Sequence, residues 1–395
     1  MSVENESSPS CGGQPSTVSK AQPYGGGQKT SGMEFPLYSP IPKPGPVDPG
    51  LASLSFCPRP YWIRGFVDTA AGKIPLVNTS LVFRDIAGSW KARWGINRMN
   101  YRVSPGLYGV GNPDDTSPVL VTANYKMSFD RLRRELSGLD AWIMVIDTKG
   151  INVWCAAGKG TFGTDELVRR IAMVGLPHVV SHRTLILPQL GAPGVAAHEV
   201  RKQSGFKVVY GPVMACDIKT FLKADMKATA EMRAIRFGFL DRLILTPIEV
   251  VAILKPMAII AAILLIARIS GLKAVTYSAL YPFIGSVLIG AVVAPALLPW
   301  IPGRPFSCKG WLMGLVWTIL VLSLHWGFFQ PYGTLNAMAF LFLLPAISAF
   351  LTLNFTGAST YTSLSGVKKE MRFALPAIIT SASAGVALWL VGFFI

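Results

Sequence analysis

The stretch Asn152-Val153-Trp154-Cys155-Ala156-Ala157-Gly158-Lys159 holds the residues whose types and spacing could do chemistry, in a chain with only five cysteines. It reads as the start of a short helix carrying one thiol. The first turn of a helix offers unpaired N–H groups and a positive dipole end, which stabilise a thiolate. Two alanines and a glycine leave room for something large and flat to approach. Such a thiol is prepared to act as a metal ligand or as a nucleophile.

Companion residues narrow the choice. Gly158-Lys159-Gly160-Thr161 superficially has the look of a phosphate-binding loop. That motif needs a glycine five residues before the Gly-Lys pair and a Ser or Thr after the Lys. Here those places hold Val153 and Gly160. No G-x-G-x-x-G follows the first strand, which argues against a dinucleotide. Cys11, Cys57, Cys216 and Cys308 are isolated and form no C-x-x-C pair, which disfavours zinc and iron–sulfur clusters. Cys57 and Cys216 read as small hydrophobes, with metal staging as the lesser alternative. His178, His182 and His198 read as edge or surface residues.

The elements that must position Cys155 lie between about 117 and 220. Pro118–Thr122 reads as a buried strand, Ser128–Leu136 as an amphipathic helix and Ala141–Asp147 as a second strand. A helix with a Thr164 cap then runs to Met173, and Thr184–Leu187 and Lys207–Tyr210 flank a helix from about Val195 to Ser204. Alternating strands and helices predict a parallel sheet covered on both faces, here an α/β Rossmann-like domain. In such sheets the ligand lies outside the carboxyl ends of the strands. The loops Thr122–Asn124, Asp147–Cys155 and Pro188–Gly194 fall at those ends, so one ligand could touch all three. Residues 55–110 read as short strands and turns and receive no function.

The remaining chain is of another kind. Over 395 residues the mean hydropathy is +0.43 and the formal charge +16. Residues 1–50, rich in Ser, Gly, Pro and Gln, read as a disordered tail without a signal peptide. A domain over 55–225 is followed by a basic juxtamembrane linker at 226–247. A membrane domain then fills 248–395. Five apolar segments, at roughly 248–268, 275–298, 310–330, 335–353 and 374–394, have the length of an all-α membrane domain of five transmembrane helices. Lys219, Lys223, Lys227, Arg233, Arg236, Arg242, Arg304, Lys309, Lys368, Lys369 and Arg372 fall on one side, which the positive-inside rule makes cytoplasmic. This implies a multi-pass inner-membrane protein with a cytoplasmic N-terminal domain and an outer C-terminus. The charge is assigned to topology and lipid headgroups rather than nucleic acid. Lys255-Pro256 interrupts the first span, and His325 in the third reads as structural. Paired intramembrane charges, which a transporter would show, are lacking.

The octapeptide resembles the signature of the HgcA family, the membrane-anchored corrinoid proteins of microbial mercury methylation, in which a corrinoid domain is fused to membrane helices. A more distant similarity is to the corrinoid iron–sulfur protein, whose cap segment ends in Ala-Ala-Gly-Lys but lacks the cysteine. Its N-terminal cluster domain has no counterpart here. The resemblance implies a base-off corrinoid, a cobalamin whose cobalt takes Cys155 as its lower axial ligand. The histidine-on motif D-x-H-x-x-G is absent, since Asp147-Thr148-Lys149-Gly150 has no His. It implies a corrinoid-dependent methyltransferase moving a methyl group from methyl-Co(III) to Hg(II), as a carbanion or a radical, to form methylmercury. Soft ligand and soft acceptor match.

The other motif residues take supporting parts under this reading. Asn152 and Val153 open the cap helix, with Asn152 capping or positioning it. Trp154 shields the lower face, and Ala156 and Ala157 let the helix approach the ring. Gly158 relieves crowding, while Lys159 pairs with a corrin carboxamide oxygen or supports the thiolate. Thr122 and Asn124 are weaker candidates for hydrogen bonds to the cofactor. The implied partners are a ferredoxin with two [4Fe–4S] clusters (HgcB) as reductant, Hg(II), a methyltransferase supplying methyl from methyltetrahydrofolate, and membrane lipid. The alternatives are a corrinoid methyl carrier for another acceptor and a membrane transporter with a cytoplasmic regulatory domain.

Overall fold

Two of the sheet's strands are buried along their whole length: β4, Val119–Ala123, and β5, Ala141–Ile146. Strands that read as unbroken apolar runs are those covered on both faces, as parallel strands are. The computed structural model describes residues 60–269, 280–328, 333–359 and 364–394. The tail expected at 1–50 and both Cys11 and Cys57 fall outside the described residues.

The chain runs β1 (Ile63–Thr69), β2 (Gly72–Val77), α1 (Phe83–Arg93), β3 (Gly106–Val110), β4, α2 (Lys126–Glu135), β5, α3 (Val153–Gly158), α4 (Thr164–Met173), β6 (Thr184–Leu187), α5 (Ala197–Ser204), β7 (Lys207–Tyr210) and α6 (Ile218–Lys223). The seven strands are ordered β1-β2-β3-β5-β4-β6-β7. β5, β4, β6 and β7 are mutually parallel, and β3 joins β5 antiparallel. Val119, Val121, Trp142 and Met144 pack on one face with α3, α4 and α5. Leu120, Ile143 and Val145 pack on the other with α2 and α6. Because strand side chains alternate between faces, this two-sided packing fixes the register. The expected alternation over 117–220 is therefore present, with a helix start two residues earlier than Ser128.

The region 55–110 departs from the expectation of strands and turns. It contains the 11-residue helix α1, whose first turn carries Asp85 and whose last carries Lys91 and Arg93, as the helix dipole favours. The Val82 N–H donates to Asp85 Oδ2 (3.1 Å), half of a capping box. Asp85 and Asp130 lock α1 to α2 through two cations. Lys126 Nζ lies 2.8 Å from Asp85 and 2.7 Å from Asp130, and Arg133 donates to both at 2.8 Å. All four are buried. Burial alone would raise the Asp85 carboxyl, but bonds from Lys126, Tyr61 and the Val82 amide outweigh it and hold the group at about 2.

After α7 (Ala230–Arg233) the chain becomes helical: α8 (Phe239–Ile269), α9 (Leu280–Leu288) continued through a π-turn into α10 (Ala294–Leu297), α11 (Phe306–Phe328), α12 (Thr334–Asn354) and α13 (Leu364–Phe394). Among the described residues four helical segments are long and apolar enough to cross a membrane: Leu280–Leu297, Phe306–Leu324, Thr334–Gly357 and Ser365–Gly392. The first expected span, 248–268, falls in α8, several of whose side chains lie outside the described residues, as does that of His325. Pro256 does not interrupt α8, which runs through it. The linker expected at 226–247 is already helical from Phe239, and the buried Arg242 donates to the carbonyls of Ala296 (3.0 Å) and Phe237 (2.7 Å).

Candidate functional site

The helix bearing the thiol is six residues long and begins at a side-chain cap. Asn152 has extended backbone, and its Oδ1 accepts the Cys155 N–H at 2.9 Å. Asn at this position satisfies one of the amides a helix start leaves open. Cys155 thus occupies the first turn, with its side chain exposed. Trp154, Gly158 and Lys159 are exposed beside it, and a Cβ added at Gly158 would meet nothing within 4 Å.

Ala156 and Ala157, expected to let the helix approach a ring, lie on its inner face. Both are buried, as is Val153, in the core under β4 and β5. A helix of 3.6 residues per turn that exposes positions 154, 155 and 158 must turn 153, 156 and 157 inward. Their smallness serves close packing on the protein instead. A Cβ on Gly194 would fall 3.0 Å from Ala157 Cα and 2.1 Å from the Phe162 carbonyl oxygen, and one on Gly191 would strike the Phe162 ring at 2.5 Å. The 3-10 segment Gln189–Gly194 after β6 therefore supports α3 from within.

Thr122 and Asn124, at the end of β4, are also buried. Asn124 spends its amide on the neighbouring loop. Its Oδ1 accepts from the Thr148 amide (3.1 Å) and the Gly150 amide (2.9 Å), and its Nδ2 donates to Asp147 Oδ1 (3.0 Å). The Thr148 hydroxyl lies 2.8 Å from the same oxygen and 2.6 Å from the Ile151 carbonyl. Lys149 and Gly150 take left-handed backbone (φ 58° and 75°), which turns the chain so that all these groups face one amide. Asp147 N–H in turn donates to Glu166 Oε1 (2.9 Å), which Arg170 also holds (2.7 Å). Burial opposes ionisation of Glu166, yet the Asp147 amide and the Arg170 and Arg169 guanidiniums outweigh it and lower its pKa.

Sequence reasoning missed this frame of Asn124, Thr148, Glu166 and Phe162. It also missed that α4 is capped at Gly163, while the expected cap, Thr164, accepts the Ala196 amide (2.9 Å). Cys216 is half-buried beside Asp217, Cys308 is exposed at the start of α11, and no group of three His, Cys, Asp or Glu is placed to hold a metal ion among the described residues. His178 and His198 are exposed; His182 is tied to the sheet, its Nε2 2.9 Å from the Ser117 carbonyl.

The fold and site define a mainly parallel α/β sheet that presents one capped, exposed thiol at its carboxyl edge, joined to a helical region suited to a membrane. The model of the CO dehydrogenase/acetyl-CoA synthase delta subunit family matches residues 96–222, which span β3 to α6 and include the thiol helix. Among curated proteins the chain is similar to the acetyl-CoA decarbonylase/synthase complex subunit gamma of Methanopyrus kandleri, at 31% identity over 125 residues, 31% of this chain and 27% of that protein. It is 32% identical over 123 residues to that of Methanocaldococcus jannaschii, 31% of this chain and 25% of that one. It is 33% identical over 115 residues to subunit gamma 2 of Methanosarcina thermophila, 28% of this chain and 24% of that protein. The match spans about a quarter of the length of these relatives.

Proposed function

We propose that this chain is a membrane-bound corrinoid methyl-transfer protein, a Rossmann-like domain carried by five membrane crossings, with Cys155 as lower axial ligand of cobalt and Hg(II) as acceptor. The observation that carries the reading is the exposed Cys155 thiol, held by its Asn152 cap at the carboxyl edge of parallel strands. It lies inside the segment similar to subunits of acetyl-CoA-forming complexes. The residues fit the group: a soft donor on an open face, between exposed Trp154 and the side-chain-free Gly158. Bound there, with Cys155 as the residue that would hold its cobalt, a corrinoid would supply a methyl group suited to a soft electrophile.

The chain's own residues do the positioning. Asn152 fixes the Cys155 backbone, and Asn124 holds the preceding loop, so the thiol meets the cofactor without reorganising. Trp154 shields one side of the thiol from water, and Lys159 offers a donor to a peripheral carboxamide oxygen. The reading takes its reducing equivalents from a separate protein. A ferredoxin with two [4Fe–4S] clusters would fill that role, and a folate-linked methyltransferase would provide the methyl group. The similarity to decarbonylase/synthase subunits favours a second reading, a methyl carrier serving another acceptor.

Reconstituting the full chain with cobalamin and comparing wild type with Cys155→Ala by optical spectroscopy tests the ligand. A shifted cobalt spectrum that the substitution abolishes is expected, and identical spectra would remove the thiolate proposal. A methylmercury assay with the ferredoxin then separates the two acceptor readings.

A further inference from the structure

Helix α1 is amphipathic the wrong way round for a helix in water. Its polar Asp85 and small Ala92 are buried, whereas Phe83 is 82% exposed, Ile86 48% and Trp90 65%. Those three lie at spacings of three and four residues and so form one stripe along the helix. The stripe continues past the helix end through Trp94 and Ile96, both exposed. Exposed Arg84 and Lys91 flank it. Asp85 cannot turn outward, because Lys126 and Arg133 hold both of its oxygens inside the domain. The apolar face is therefore locked outward, and a contiguous apolar patch of this kind marks a contact surface.

What covers it is indicated by its neighbour. α1 packs against α8, and a Cβ at Gly95 would sit 3.5 Å from Val251 Cγ1. Val251 is three residues inside the first expected span, about 5 Å along a helix at 1.5 Å per residue. An interfacial helix buries its apolar face about 5–10 Å below the headgroups. Aromatic rings at that depth, with flanking cations among anionic headgroups, are the arrangement a membrane surface selects. Phe239 at the start of α8 and Trp300, their rings tilted against each other with centroids 6.1 Å apart, are likewise exposed. α1 also lies outside the 96–222 segment similar to other proteins, as does the helical region it touches.

We infer that α1 lies in the bilayer interface, with Phe83, Ile86, Trp90 and Trp94 inserted among lipid chains and Arg84 and Lys91 on anionic headgroups. The inference rests on the membrane-spanning reading of the later helices, and the test keeps the two apart. The full chain is reconstituted in nanodiscs of phosphatidylcholine and phosphatidylglycerol containing a diazirine-bearing phosphatidylcholine, irradiated and digested with trypsin. Lipid adducts are expected on the peptide Asp85–Lys91 and on α11 to α13, and not on the exposed face of α5. In Phe83→Ser/Ile86→Ser/Trp90→Ser, which alters only exposed positions, adducts on 85–91 should be lost while those on α11 to α13 persist. Adducts on α11 to α13 with none on 85–91 overturn this inference alone. Adducts on neither overturn the spanning reading and the inference with it. Crosslinks from 85–91 to a second copy of the chain, in place of lipid, would also overturn it.

Discussion

Replacing Asn124 by alanine separates a positioning role from a ligand-binding one, because the side chain is buried and its bonds are all accounted for. The substitution removes the acceptor of two amides, Thr148 N–H and Gly150 N–H, in residues that are themselves buried. The Thr148 hydroxyl retains the Ile151 carbonyl. Each orphaned buried amide costs about 1–3 kcal/mol, and water admitted into the vacated volume moves the total toward the lower end, so about 3 kcal/mol is expected. If the loop opens locally, a loss of that size speeds exchange of the two amides roughly a hundredfold. Hydrogen exchange on the full chain reads this directly, with the Val121 amide in the sheet as a control that should not change.

Asn124→Asp sharpens the test. It keeps the acceptor oxygen but sets a carboxylate about 3 Å from Asp147, where two like charges at an effective dielectric of about 20 repel by about 5 kcal/mol. The loop should open at neutral pH and close again on acidification, as the pair takes up one proton. Exchange at Thr148 and Gly150 within about threefold of wild type in Asn124→Ala, less than 1 kcal/mol, would refute the frame and return Asn124 to the ligand-contact candidates.

Two further outcomes follow from packing and charge. In Gly194→Ala the new methyl group would lie 2.1 Å from the Phe162 carbonyl, so the support under α3 must shift. A lowered thermal midpoint together with faster reaction of Cys155 with a thiol reagent is expected, whereas Gly158→Ala, in open space, should change neither. Asp85, held at about 2 against an ordinary 3.8, contributes stability that is fully present above about pH 4 and lost as the pH falls toward 2. The loss amounts to about 2 kcal/mol, and Asp85→Asn should flatten that part of the acid-unfolding profile, followed by tryptophan fluorescence.

What was legible in the sequence is what repeats or caps locally. β6, β7 and the body of α4 fall where apolar runs and early acidic residues put them, and Asn152 reads as a cap because its bond spans three residues. The α1 helix was not legible, because its apolar stripe faces outward and its inner face is anchored by a charge, Asp85, beside the small Ala92. The loop bonds of Asn124 were not legible for another reason. Its partners lie 23 to 26 residues away and meet it only because Lys149 and Gly150 adopt positive φ, which no spacing rule announces. The inward turn of Ala156 and Ala157 follows from helical phase once the exposed position of Cys155 is known, and the octapeptide alone does not set that phase.

The thiol loop is tied to α8 by a short chain of contacts. The Met99 carbonyl closes on Gly150, where a Cβ would meet it at 2.7 Å, and Gly95 rests on Val251 of α8. Gly95 and Met99 are four residues apart and can be separated by no more than about 15 Å of extended chain. The turn between α1 and β3 thus ties the loop that Asn124 holds to α8. A shift of α8 or of α1 would act first on Met99 and Gly150, and through Ile151 and Asn152 on the backbone of Cys155.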